Sequence, residues 1–301
     1  MELSLNQATT RPYPLAETAE AASLARIGHI GLWLEPVEAI GLEATRQILA
    51  DAGLRVSSMC RVGFVADQSG VALTRALDRV KDALELSHAV GAPMLTFIAG
   101  GLPAQDRSIS RAEGRVRDAL EQVEPYAQQA GVRLALEPLH PLFVGNRSMV
   151  TTVAQALRIV ADLPVESCSI LVDAYATFWD SAFEPSVAEA APRIAGYQVS
   201  DFALPLPAPE PMNGRLFPGD GEIDLVAMTQ AVRRAGFTGP TEVEIFNDDI
   251  WRLPLDVIVK RTVDSFTRHL AQPLAEAEMT GPLELGRQSD SNHSSPRAVD
   301  R

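Results

Sequence analysis

Two spacings of apolar residues alternate along this chain. Short apolar or alternating runs predict strands over Glu2–Ala8, His29–Leu34, Leu54–Phe64, Met94–Ala99, Leu134–Glu137, Ser169–Asp173, Ala195–Ser200 and Thr241–Phe246. Between them, longer Ala-, Leu- and Glu-rich stretches predict helices over Leu15–Ala25, Val37–Ala52, Val71–Val90, Ser110–Ala130, Val150–Ala161, Val187–Ala191, Asp224–Ala235 and Leu255–Leu270. Glycines at 53, 91, 131 and 236 stand where helix ends are expected. Eight strand-then-helix units predict a single α/β domain, a (β/α)8 TIM barrel, over residues 1–271. A doubly wound sheet would carry a Gly-rich phosphate turn after its first strand, and Asn6-Gln7-Ala8-Thr9 is not one. Residues 272–301 read as a polar tail without a further strand, expected to be disordered from Gly286 onward, where periodicity is lost.

Strand parity locates the chemistry. In the fifth strand Val132, Leu134 and Leu136 share one face, whereas Ala135 and Glu137 share the other; Pro138 and Pro141 then stop the strand beside His140. The pattern recurs with Leu171 and Asp173 opposite Ile170 and Val172, and with Gln198 opposite Tyr197 and Val199. It recurs again with Glu244 opposite Val243 and Ile245. Four consecutive strands thus end in an oxygen-bearing side chain on the face away from the outer helices, at the end of the barrel where such folds carry their active sites.

Composition narrows what that mouth can bind. A chain of 301 residues, 46 % hydrophobic, can bury one large core. Its formal net charge of −13 argues against nucleic acid or an anionic membrane as partner. Small soluble molecules are the expected ligands. Two cysteines, Cys60 and Cys168, are too few for a disulfide framework and are expected in the core of a cytoplasmic protein. No apolar run approaches membrane-spanning length, and the first residues lack the basic and apolar regions of an export signal. Three converging carboxylates repel one another unless a cation offsets them. Oxygen-rich ligation by Glu137, Asp173, Glu244 and the Gln198 amide favours Mn²⁺, with Mg²⁺ or Co²⁺ as alternatives, over Zn²⁺.

Several longer motifs add a resemblance. Glu137-Pro-Leu-His140-Pro141 with Arg147, Val172-Asp173 through Trp179-Asp180, Gln198-Val-Ser-Asp201, Gly219-Asp-Gly221-Glu-Ile-Asp224 and Glu242-Val-Glu244-Ile-Phe246 resemble the sugar phosphate isomerase/epimerase family. That family has the xylose isomerase-like TIM barrel and includes ketose 3-epimerases and inosose-processing enzymes. The resemblance implies that Glu137, Asp173, Gln198 and Glu244 hold the metal, that Glu137 and Glu244 double as the acid/base pair, and that Arg215 contacts substrate. It also sets Asp201 among the site motifs. Two positions depart from the pattern: Gln198 stands where many members have His, and Ala176 where many have a substrate-touching His.

The expected chemistry is proton abstraction beside a carbonyl. A metal chelating the carbonyl oxygen and the adjacent hydroxyl stabilises the enediolate, one glutamate takes the proton, and the other glutamate or His140 returns it. Return to the opposite face is epimerisation, return to the neighbouring carbon is isomerisation, and loss of a β-substituent is elimination. A lyase such as a 3-keto-glycoside deglycosidase subunit with a partner subunit, and a non-catalytic sugar-binding barrel, are the competing readings. A homodimer is common among similar barrels. Arg61 and Arg147 are candidates to grip a substrate phosphate or carboxylate. Trp33, Phe64, Phe143, Trp179 and Trp251 are candidates to wall a sugar pocket. Glu242, in phase with Glu244 and one layer deeper, is a candidate support for it. His29, His88, His269 and His293 are expected to be structural or solvent-facing.

Overall fold

The computed structural model describes residues 1–205 and 211–280. Eight parallel strands, numbered β1 to β8 in chain order, close into a barrel. They are β1 (Leu3–Asn6), β2 (His29–Trp33), β3 (Arg55–Gly63), β4 (Met94–Ile98), β5 (Arg133–Glu137), β6 (Cys168–Asp173), β7 (Ile194–Val199) and β8 (Thr241–Val243). Each strand pairs with its sequence neighbour, and β8 returns to β1 through Leu3 opposite Thr241. Among the described residues no helix is long and apolar enough to cross a membrane.

The strand faces divide as parity requires. Leu134, Leu136, Ile170, Val172, Tyr197, Val199, Val243 and Ile245 all join the main apolar core between sheet and helices. Fully burying each such side chain contributes about 1.5–3 kcal/mol, so a one-residue slip that exposed them would be prohibitive. The opposite face fills the barrel itself. Its lower level is apolar, with Met94, Ala135 and Leu171 in one small cluster. A side chain at residue 196 would bring a Cβ within 2.3 Å of the Met94 Cε methyl, so Gly196 leaves that level room to pack.

Helix boundaries differ from the periodic pattern where backbone geometry intervenes. The stretch after β2 forms two helices, Leu34–Ile40 and Leu42–Ala52, because Gly41 adopts a φ of +87° that no helix can carry. The helix after β5 begins only at Val153, capped by the Thr152 hydroxyl that accepts from the Gln155 amide at 3.1 Å. The unit between β6 and β7 holds a turn at Ala174–Thr177 and a helix at Phe183–Glu189. The closing helix, Leu255–Phe266, passes through a wider turn into Gln272–Thr280. Residues 281–301, which include His293 and the expected disordered stretch, lie outside the described residues.

Candidate active site

Each inward side chain is delivered by the last residue or two of its strand. Glu137 ends β5, Asp173 ends β6, Gln198 lies one residue before the end of β7, and Glu244 follows β8 directly. The Glu244 amide donates to the Val199 carbonyl at 3.2 Å, which holds it in line with the sheet. All four are buried. Glu137 and Glu244 face one cavity of about 640 Å³, a size that accommodates a small ligand.

Arg215 lies at the centre of these acids. A long connection leaves β7, forms a two-residue antiparallel pairing of Asp201–Phe202 with Arg215–Leu216, and so returns Arg215 over the barrel mouth. Its guanidinium meets Asp173 Oδ2 at 2.9 Å and Glu244 Oε2 at 3.2 Å while only 2 % exposed. Tyr175 and Phe246 present their rings to it at 4.6 and 5.3 Å. One guanidinium cannot offset three carboxylates. Burial first, then Glu244 and Asp173, pushes the Glu137 carboxyl well above the usual carboxylate range. Burial likewise raises Glu244 from 4.5 to about 8, against the pull of Arg215. Asp173 is raised by burial too, and opposed by Arg215.

Gln198 completes the group. Its Nε2 donates to Glu242 Oε1 at 2.8 Å and lies 3.5 Å from Glu244 Oε1, whereas its own Oε1 is buried without a hydrogen-bond partner. The donor set suits a hard divalent cation in kind: oxygen atoms only, one of them orphaned, with negative charge in surplus. The side chains do not stand as a ready cage, however. Among the described residues no group of three or more His, Cys, Asp or Glu side chains is arranged to hold a metal ion. The reason is visible, since Arg215 draws the Asp173 and Glu244 carboxylates onto itself and the fourth donor is an amide.

The opposite wall of the cavity is aromatic and basic. The Trp33 and Phe246 rings meet edge to face at 5.6 Å, and Phe246 and Trp251 at 6.1 Å. Arg61 stacks 4.6 Å over Trp33, and Arg11 5.3 Å over Trp251. Arg147 lies 5.6 Å over Phe143, and it lines the cavity together with Arg61 and Phe64. Among the described residues the ion-pair partner of Arg61 is the exposed Glu35, at 3.6 Å.

Asp173 and Gln198 lie against Arg215 and Glu244 without lining this cavity, and Glu242, His140, Phe143, Trp179 and Asp201 do not line it either. His140 caps the short turn Pro141–Phe143, its Nδ1 accepting from the Leu142 amide at 3.3 Å, and its ring stacks on Phe178. Burial lowers its pKa. Trp179 donates its indole N–H to the Ala176 carbonyl at 2.7 Å and packs edge-on against His140. Asp201 is spent on a loop: its carboxylate accepts from the amides of Phe202, Gly219 and Ile223 at 2.9–3.0 Å. Phe143 belongs to a small apolar cluster with Ile98 and Leu139 beneath the rim. His269 packs against Gly219, in keeping with a structural role. Both cysteines are buried and unpaired.

Sequence reasoning passed over Asn6 and Gln7. The Trp33 indole N–H donates to Asn6 Oδ1 at 2.8 Å and its backbone N–H to Gln7 Oε1 at 2.7 Å, so these two amides set the aromatic wall. The signal was present, because Ser4 and Asn6 alternate with Leu3 and Leu5 just as Glu137 alternates with Leu136.

Comparison with known proteins agrees with this architecture. A curated inosose isomerase of Bacillus subtilis (strain 168) is 27 % identical over 163 residues, which is 51 % of this chain and 56 % of the relative. The match therefore spans little more than half of that protein's length. The crystal structure of protein SMc04130 from Sinorhizobium meliloti 1021 superposes with a TM-score of 0.84 at 32 % identity, covering 89 % of this chain and 98 % of that one. The IOLI protein, crystallised with a bound zinc atom, superposes at 0.80 with 19 % identity, covering 90 % and 99 %, which is a likeness of fold. The family described as the xylose isomerase-like TIM barrel matches residues 21–269, and with most of its length so matched, this chain belongs to that family.

Proposed function

We propose that this protein is a divalent-metal-dependent isomerase or epimerase of a sugar, sugar phosphate or inosose. The observation that carries the reading is the pairing of Glu137 and Glu244, two buried glutamates with raised pKa values facing one ligand-sized cavity. A carboxyl raised to about 8, as that of Glu244 is, is suited both to take a proton from carbon and to give it back. Glu244 removes the proton beside the substrate carbonyl, and Glu137 returns it to the other face or to the adjacent carbon. Arg215 fixes the carboxylate of Glu244 and offers charge to the developing oxyanion. Trp33, Phe246 and Trp251 stack on the sugar and keep water out, while Arg61 and Arg147 take an oxyanion substituent of the substrate.

Glu137, Asp173, Gln198 and Glu244 would hold the cation, Mn²⁺ by preference, which supplies electrostatic stabilisation of negative charge beside the carbon being deprotonated. The orphaned Gln198 Oε1 and the surplus of carboxylates support this. Metal binding would require Asp173 and Glu244 to divide their oxygens between Arg215 and the ion.

The test is deuterium uptake from D₂O into a panel of ketoses, ketose phosphates, inososes and 3-keto-glycosides, with Mn²⁺ and after chelation. Exchange into one class that stops on chelation is the expected result and names the substrate. Exchange unaffected by chelation would remove the metal from the reading. Release of an aglycone without exchange would make the protein a lyase.

A further inference from the structure

One buried acid has no part in the chemistry above. Glu242 lies two residues before Glu244, on the same inward face and one level deeper, and is 3 % exposed. Four side chains aim donors at its carboxylate. Asn6 Nδ2 reaches Oε1 at 2.6 Å and Gln198 Nε2 reaches it at 2.8 Å; Ser57 Oγ reaches Oε2 at 2.5 Å and Ser58 Oγ at 2.8 Å.

The backbone is shaped to make this possible. Ile30 pairs with Val56 and Gly31 with Ser58, so Ser57 is an extra residue in β3, and that bulge turns two consecutive serines toward one carboxylate. A side chain at residue 31 would bring a Cβ within 2.6 Å of the Glu242 carboxylate, so the missing side chain of Gly31 makes the space.

Such a cradle has a directional consequence. A carboxylate only accepts, so an amide bonded to it must present nitrogen and turn its oxygen elsewhere. Glu242 does this to two amides at once. In Gln198 the result is the orphaned Oε1. In Asn6 the freed Oδ1 accepts from the Trp33 indole at 2.8 Å and the Ala8 amide at 2.8 Å. One carboxylate thereby connects the acid cluster to the aromatic wall opposite.

We infer that Glu242 is a positioning residue, which fixes the Gln198 amide with its oxygen held unpaired for a ligand and, through Asn6, holds Trp33 in the cavity wall. That the ligand is a divalent cation rests on the proposed function; the orientation of the two amides does not.

The experiment compares the full-length wild type with Glu242→Gln, Gln198→Leu and the double variant. The first readout is the exchange rate of the Gln198 side-chain amide protons by NMR, assigned by their loss in Gln198→Leu. The second is Mn²⁺ affinity by calorimetry. Glu242→Gln should speed amide exchange by about tenfold or more and weaken Mn²⁺ binding by about tenfold to a hundredfold, the usual effect of losing a group that orients a ligand. In the Gln198→Leu background the same change should weaken binding no further, because Glu242 acts through Gln198. Equal weakening in both backgrounds, or unchanged exchange in Glu242→Gln, would overturn the inference. Rapidly exchanging Gln198 protons in the wild type would also overturn it, without any variant having to fold. If the wild type binds no Mn²⁺, the metal of the proposed function falls, and the exchange comparison still decides the role of Glu242.

Discussion

The two halves of the barrel do different work at the same rim. From β5 onward the strands end in Glu137, Asp173, Gln198 and Glu244, and the mouth there is acidic, buried and drawn onto Arg215. From β1 to β3 they end in Asn6, Trp33 and the segment with Arg61 and Phe64, and with Phe246 and Trp251 from beyond β8 the mouth there is a wall of rings carrying cations. The difference separates two tasks. The acidic half stores unfavourable charge, which costs stability and, in the proposed function, supplies proton transfer. The aromatic half provides shape and stacking, which costs little.

Changes in the acidic half should therefore strike turnover or folding, and the largest is Glu244→Gln. It should lower kcat by about 10²–10⁴-fold with the circular dichroism spectrum intact, and wild-type turnover would remove Glu244 from the acid/base pair. Arg215→Met should come next. Without its guanidinium, the buried carboxyls of Asp173 and Glu244 must either ionise uncompensated or be held protonated, so chemical denaturation at pH 8 in chelator should show a loss of about 3–5 kcal/mol. Stability unchanged would mean that water already screens the cluster.

The acidic half also sets a pH dependence. The Glu244 carboxyl is raised from 4.5 to about 8, so the folded state holds its proton more tightly than the unfolded chain does. This contribution is fully present below pH 4.5 and is lost as pH rises through about 8. Against other groups in the molecule, metal-free protein should show a declining melting temperature across that window, and the decline should be reduced in Glu244→Gln or by saturating Mn²⁺. A decline identical in the variant would assign it elsewhere.

In the aromatic half effects should be smaller and fall on binding. Arg61→Ala should raise KM about tenfold for an anionic substrate while changing kcat little, since it removes an interaction made equally before and during reaction. A fall in kcat without a change in KM would move Arg61 from the wall into the chemistry. The smallest effect belongs to His140→Ala, whose ring caps a turn and packs on Phe178 outside the cavity. Its kcat should stay within about twofold of wild type; a hundredfold loss would restore it as the proton-returning group.

The alternation of apolar residues was enough to find all eight barrel strands and to say which faces point inward, because side-chain direction in a regular strand follows residue parity, a rule broken where Ser57 bulges in β3. Parity likewise singled out Glu137, Asp173, Gln198 and Glu244, and applied to Ser4 and Asn6 it would have extended the polar interior to the first strand. Helix division was less accessible, as at Gly41, where a backbone angle and not composition breaks the pattern.

What parity does not contain is distance between strands far apart in sequence. That Arg215, on a long connection, becomes the internal cation of the acid cluster is a product of chain return. So is the division of fates among His140, Trp179 and Asp201, which sit in motifs of the right kind yet are used by local backbone groups. The cradle of Glu242 joins residues 6, 57, 58 and 198 and depends on a bulge and an absent side chain at residue 31. Local sequence determined which side chains enter the barrel, because strand geometry is local; closure of the barrel alone decided which of them meet, because hydrogen bonds and ion pairs act only at contact.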